Sequence, residues 1–198
     1  QYSNAGINTA ARVLEVVSGM KYEDFMQQRL FDPLGMTDTT FWPSEAQVGR
    51  LAKSYRPNKT KDNLEEFELG QMKSPLTDHT RRFPMPAGGL FSTAKDTSTF
   101  CRMLLNGGEL NGKRLISEAA FAELTRKQTP DSIKTGYGLG FSVGGDSFGH
   151  GGAHATKMDI FPERGVAVIW MVQHGGFPGE GKNAHGIFKN WAIQKFGK

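Results

Sequence analysis

The 198 residues carry 24 Lys and Arg against 20 Asp and Glu, a net charge of +4, with 37% hydrophobic and 22% charged residues, so one sizeable core is expected rather than a disordered or fibrous chain. The basic residues are spread out, with one loose cluster at Arg50, Lys53, Arg56, Lys59 and Lys61 and no basic stripe interleaved with aromatics, so no nucleic-acid partner is expected. No apolar run reaches the length of a membrane span, and the single cysteine, Cys101, excludes an internal disulfide.

In chain order, Ile7, Ala10, Ala11, Leu14 and Val17 recur at helical spacing and predict a helix over 8–18 stopped by Gly19. A second helix is predicted over 22–30, carrying Phe25, Met26 and Leu30; it should end in Phe31-Asp32-Pro33-Leu34-Gly35-Met36, where Pro33 and Gly35 oppose continuation. Over 37–85 the periodicity fails among Pro43, Pro57, Pro75 and Pro84, which predicts functional loops or short irregular strands that shape a pocket. Thr93 is placed to cap a further helix, with Asp96 three residues on; Phe100, Cys101, Leu104 and Leu105 form its apolar stripe, and Asn106-Gly107-Gly108 stops it. Another helix is predicted from Ser117, carrying Phe121 and Leu124.

Beyond Pro130 the texture changes to strands. They are predicted over 137–143, 155–161 and 166–172, the last two joined by a hairpin at Pro162-Glu163-Arg164-Gly165. The almost wholly apolar Val166-Ala167-Val168-Ile169-Trp170-Met171-Val172 suits a strand covered on both faces. After a glycine-rich loop over 175–181, an amphipathic helix with Ile187, Phe188, Trp191 and Ala192 closes the chain. The chain reads as one portion of a domain over 1–198, with a mainly helical and loop region over 1–130 and sheet strands plus a C-terminal helix over 131–198.

Two short motifs carry candidate chemistry. Tyr2-Ser3-Asn4 presents a phenol at a helix start, and a phenol, titrating near pH 10, acts as a base only beside a cation that favours its ionised form. By itself the motif has almost no specificity and is more simply read as a tyrosine packed at a helix start. Phe148-Gly149-His150-Gly151-Gly152-Ala153 presents a histidine and glycines that let a ligand approach the backbone closely. His150 alone fits a hydrogen-bonded strand-end histidine or a catalytic one. Two Ser-x-x-Lys runs also occur. Ser18-Gly19-Met20-Lys21 sits at a helix end, and Ser92-Thr93-Ala94-Lys95 reads as a cap. His150, His154, His174 and His185 lack the paired spacing of zinc ligands, so no metal site is expected. Cys101 on its apolar stripe, and Trp42, Trp170 and Trp191, are read as packing residues.

These motifs are co-linear with further blocks: Val17-Ser18-Gly19, Phe31-Asp32-Pro33-Leu34-Gly35-Met36, Ala87-Gly88-Gly89-Leu90-Phe91-Ser92-Thr93-Ala94-Lys95-Asp96, Met103-Leu104-Leu105-Asn106-Gly107-Gly108, Tyr137-Gly138-Leu139-Gly140-Phe141 and Phe161-Pro162-Glu163-Arg164-Gly165. Over nearly its whole length the chain thus resembles the penicillin-recognising serine hydrolases: class C β-lactamases, D-Ala-D-Ala carboxypeptidases and β-lactamase-like esterases. The resemblance implies an α/β (α+β) sandwich, an antiparallel sheet flanked by helices, incomplete at the N-terminus. It implies acyl transfer to a serine, then hydrolysis of an ester, amide or peptide in a small-molecule or peptide substrate. Tyr2 would be the general base and Asn4 the substrate-orienting group. His150, on the strand edging the active site, would be the electrostatic partner, Gly151 and Gly152 would admit the substrate, and the Ala153 N–H would be an oxyanion donor. No metal or organic cofactor is implied, and the location implied is periplasmic or secreted.

The family's Ser-x-x-Lys motif should precede Tyr2, and the chain begins at Gln1 without Met, directly in a motif. It therefore reads as a C-terminal portion, inactive alone, whose 166–172 strand lacks a neighbour and which associates with its own N-terminal part or a second copy. A non-catalytic binding module or a truncated fragment of the same fold is the rival reading. Against the usual Lys-Thr-Gly, His150-Gly151-Gly152 implies a peptidase-like or esterase-like member rather than a true β-lactamase.

Overall fold

The computed structural model describes residues 3–72 and 75–198. The chain forms two compact units, one of Gln1–Lys53 with Glu68–Thr97, the other of Ser54–Phe67 with Ser98–Lys198.

In the first unit α1 (Asn4–Ser18) begins earlier than the apolar spacing predicts and stops at Gly19 as expected. Its predicted apolar stripe is only partly covered: Ala11 is buried, whereas Val17 is 82% exposed. Next, α2 (Tyr22–Met26) runs through a wide π-helical turn, Gln27–Phe31, into α3 (Asp32–Leu34). Helical backbone therefore continues past Leu30, where the sequence predicts a stop. Pro33 falls at the start of the short α3, where a missing N–H costs least. Gly35 ends the run at φ 66°, with its N–H bonded to the Asp32 carbonyl and the Met36 N–H to the Phe31 carbonyl. This double bond, with Phe31 and Met36 both buried, is the left-handed cap that glycine makes cheaply.

Residues 37–53 are less irregular than predicted. The helix α4 (Glu45–Val48) starts at a capping box in which Ser44 and Gln47 each accept the other's backbone N–H. An isolated bridge pairs Thr40 with Phe91, and buried Asp96 secures it. One oxygen of that carboxylate accepts the Asp38 N–H at 2.8 Å and the Thr39 hydroxyl at 2.9 Å. The Asp96 N–H in turn donates to Thr93 Oγ1 at 3.2 Å, so Thr93 caps α5 (Ala94–Leu105) as its spacing predicts.

In the second unit, β1 (Tyr55–Pro57) and β2 (Leu64–Glu66) form a hairpin. On α5, Cys101, Met103 and Leu104 are fully buried, while Phe100 and Leu105 are half-buried; Met103 thus replaces two members of the predicted stripe. A small hairpin, β3 (Glu109–Leu110) and β4 (Lys113–Arg114), leads to α6 (Glu118–Thr125), capped by Ser117. Four antiparallel strands follow in the order β5 (Ser142–Gly144), β6 (Ser147–Gly151), β7 (Lys157–Phe161) and β8 (Val166–Trp170). Residues 137–141 are not strand, contrary to the sequence reading. Gly138 N–H turns back to the Phe141 carbonyl, and only a Tyr137–Ser142 bridge precedes β5.

Helices flank both faces of this sheet. Phe121 of α6 meets Phe148 on one face. On the other, α7 (Ala184–Phe196) lays Phe188, Ala192 and Ile193 against Phe161, Val166 and Val168. On β8 only that face is buried, and Ala167 and Ile169 on the other are half-buried, so the strand is less covered than its apolar run suggests. β8 lies at the sheet margin and pairs with β7 alone among the described strands. No described helix is long and apolar enough to cross a membrane.

Two outcomes test this packing. Burial pushes the Cys101 thiol up to about 12, so a thiol reagent at neutral pH should label none of the folded chain and one thiol per chain after unfolding. Ile160→Ala, at a side chain with no exposed surface, should lower the unfolding free energy by about 2–5 kcal/mol in a denaturant titration.

Candidate functional site

The β6–β7 ladder builds the site. Its register pairs Phe148 with Ile160, Gly149 with Asp159, His150 with Met158 and Gly151 with Lys157. On the other side, β5 reaches only Gly149, through Ser142. His150 and Gly151 therefore run one and two residues past the end of β5. The family resemblance places this motif on the strand edging the active site. In the sheet β6 is internal, and only its C-terminal end is open on the β5 side.

Side chains alternate across the pleat, so Phe148 and His150 share one face with Met158 and Ile160. Ser147, Gly149 and Gly151 share the other with Lys157 and Asp159. A cavity of about 300 Å³ is lined largely by this second face, including Ser142, Gly144, Ser147, Gly149, Gly151 and Lys157. His150 lines the same cavity, together with Thr135, Gly136, Val143, Phe148 and Asp159.

The half-buried His150 ring meets Tyr137, whose hydroxyl lies 2.9 Å from Nε2. Beyond Gly151 the chain turns tightly. Gly152 N–H bonds the Thr156 carbonyl at 2.8 Å, Ala155 N–H bonds the Gly152 carbonyl at 3.1 Å, and Ala155 takes φ 67°. A Cβ at 152 would stand 2.2 Å from Thr156 Oγ1. Ala153 is exposed in this turn, and its N–H makes no hydrogen bond among the described residues. The turn is tied down behind: the His154 carbonyl accepts the His174 N–H at 3.1 Å, and the His154 ring packs beside Phe67. The result is an exposed amide, a close-approach backbone and a held imidazole within four consecutive residues.

Of the other predicted site residues, Tyr2 lies outside the described residues. Asn4 is the first residue of α1, exposed, in the first unit. The two Ser-x-x-Lys runs have other employment. Ser18 Oγ accepts the Met20 N–H, and Ser92 Oγ is bonded to Thr39 Oγ1 at 2.8 Å and to Thr97 Oγ1 at 3.3 Å. The histidines disperse to separate partners: His174 Nδ1 accepts the Gly176 N–H, His185 Nε2 meets Asp159 at 3.0 Å, and His150 meets Tyr137. Tyr137 is the site residue that the sequence reading missed. Its block was visible as a motif, but nothing in a glycine-rich run reveals where the phenol points.

The family model described as Beta-lactamase matches residues 1–189. Penicillin-binding protein 4 of Amycolatopsis lactamdurans is 31% identical over 189 residues, covering 88% of this chain and 47% of that protein. Among solved structures, a mutant simvastatin synthase of Aspergillus terreus superposes with a TM-score of 0.83 at 16% identity, over 97% of this chain and 54% of that one. EstCE1, described as a hydrolase with promiscuous acyltransferase activity, superposes with a TM-score of 0.77 at 19% identity, over 97% and 55%. The chain spans about half the length of the curated relatives that it matches.

Two glycines of the motif separate fold from function. A Cβ at 149 would stand 2.1 Å from the Met158 carbonyl oxygen, whereas one at 151 would meet only the mobile Lys157 stem, at 3.2 Å or more. Gly149→Ala should therefore destabilise the chain by about 1–3 kcal/mol or more. Gly151→Ala should stay within about 0.5 kcal/mol of the parent. Paired thermal melts check the contrast.

Proposed function

Because this chain belongs to the beta-lactamase family, we propose that it is the C-terminal portion of a serine hydrolase acting through an acyl-enzyme on an ester, amide or peptide. The single observation that carries this reading is the open end of β6, where the exposed Ala153 N–H, without a partner among the described residues, follows His150, Gly151 and Gly152 in a tight turn. A carbonyl carbon becoming tetrahedral loads negative charge on its oxygen, and a fixed backbone N–H without another partner suits that charge. One such donor lowers the barrier by about 2.7–4 kcal/mol.

In this reading Tyr2, made basic by a neighbouring lysine ammonium, takes the proton from the serine hydroxyl as the oxygen attacks the substrate carbonyl. The oxyanion accepts the Ala153 N–H and a second donor beside the serine. Collapse expels the leaving group, which takes the proton back from Tyr2, and water repeats the cycle to free the acid and the serine. Asn4 orients the substrate, His150 supplies the electrostatic partner, and Gly151 and Gly152 let the acyl group lie close to the strand. The serine and lysine belong to a further segment of a longer protein. The half-length coverage of the relatives supports that assignment, as do the engaged hydroxyls of Ser18 and Ser92.

The same reading has that further segment, or a second copy, joining at the β8 margin, and it places the protein in the periplasm or outside the cell. With His150-Gly151 where a β-lactamase has Lys-Thr, an imidazole holds a lactam carboxylate less firmly than a permanently charged ammonium. Esters and peptides are therefore the better substrates.

The test is a burst assay. A longer protein carrying this sequence should release one burst equivalent from an activated ester and cleave a β-lactam poorly. In it, Tyr2→Phe should slow acylation roughly 10²–10⁴-fold. The 198-residue chain alone should give no burst. A burst from this chain alone, abolished by Ser92→Ala, would make Ser92-Thr93-Ala94-Lys95 the nucleophile motif and overturn the reading.

A further inference from the structure

We infer that Tyr137 is a positioning residue that sets the ring orientation and the tautomer of His150; its part in the reaction rests on the acyl-enzyme reading above. Tyr137 Oη stands 2.9 Å from His150 Nε2, and the two rings meet nearly perpendicular at 82°, with centroids 6.1 Å apart. They touch through their heteroatoms rather than by stacking.

The phenol is built into that place by its backbone. The Tyr137 carbonyl accepts the Gln128 N–H at 2.8 Å, and its own N–H donates to Thr129 Oγ1 at 3.3 Å. Gly136 and Gly138 flank it, and neither tolerates a side chain. A Cβ at 136 would lie 2.1 Å from the Val143 carbonyl oxygen, and one at 138 would lie 2.5 Å from that of Leu124. The segment is thus pressed against β5 on one side and the end of α6 on the other. Tyr137 projects from a backbone with little room to shift.

Chemistry then assigns the proton. A phenol O–H is a stronger donor than a neutral imidazole N–H, and an unprotonated ring nitrogen is a stronger acceptor than a phenol oxygen, so beside a neutral ring the O–H···Nε2 arrangement is the favoured one. Tyr137 donates to a bare Nε2, and the ring proton of neutral His150 sits on Nδ1. When the ring takes a second proton, Nε2–H donates to the phenol oxygen instead. The bond reverses direction and the ring stays put in both states. Nε2 is committed to Tyr137, so His150 serves the site as a fixed donor through Nδ1–H and not as a general base through Nε2.

The experiment is long-range proton–nitrogen correlation NMR on the protein labelled with nitrogen-15 in histidine, recorded where His150 is neutral. The parent should show a protonated Nδ1 and a bare Nε2 at His150, and Tyr137→Phe, which keeps the ring and loses the hydroxyl, should lose that preference. A parent spectrum with the proton on Nε2 overturns the inference, and does so even if the variant fails to fold. An unchanged tautomer in folded Tyr137→Phe overturns it as well. In the longer protein, Tyr137→Phe should lower kcat for the ester roughly ten- to a hundredfold with little change in KM, as misplacement of a site group does. An unaltered kcat alongside an altered tautomer removes Tyr137 from the reaction. An unsubstituted longer protein that hydrolyses no ester defeats the hydrolase reading, while the tautomer is still decided by the spectra.

Discussion

Gly149 passes so close to Met158 that any side chain at 149 would overlap the carbonyl oxygen opposite. That contact fixes the register of β6 on β7, and the rest of the site depends on the register. A slip of one residue would carry His150 to the opposite face and bring Gly149 and Gly151 round to the face that buries Ile160. The same register brings Gly152 level with Thr156, closes the turn between them and leaves the Ala153 amide exposed. Close packing of two backbones thereby decides where a polar group stays available.

The first unit depends on a different device, a buried carboxylate. Asp96 gathers the Asp38 amide and the Thr39 hydroxyl, and Thr39 in turn holds Ser92. A buried polar group is tolerated when it is hydrogen-bonded, and here those bonds join segments nearly sixty positions apart in sequence. Ser92 in Ser92-Thr93-Ala94-Lys95 is bound into this network, and Thr93 caps α5. A four-residue pattern has the same spelling whether its serine is a nucleophile or a strut, and the partners of the hydroxyl distinguish the two.

Apolar surface is unevenly covered. Val16 and Val17 on α1 are 68% and 82% exposed, and Ile187 and Phe196 on α7 are 68% and 59% exposed. Each helix buries part of its apolar surface, as Ala11 and Ala192 show. Together with the half-buried outer positions of β8, this pattern fits a chain that spans about half of its relatives' length.

Local chemistry in the sequence was enough for several features. Thr93 and Ser117 announce helix starts because a hydroxyl can accept an orphan N–H within its own turn. Gly19 and Gly35 announce stops because a left-handed residue costs glycine little. The co-linear motif blocks were legible too, and the family they pointed to is the one the chain belongs to. Local pattern could not show that Pro33 would be absorbed at the start of α3, that α4 would form, or that β8 would be covered well on one face only. Nor could it show the early end of β5, the grip of Asp96 on residues 38 and 39, or the meeting of Tyr137 with His150. Those features are long-range: each is decided by which backbones approach one another, and that is set only when the strands and helices have packed.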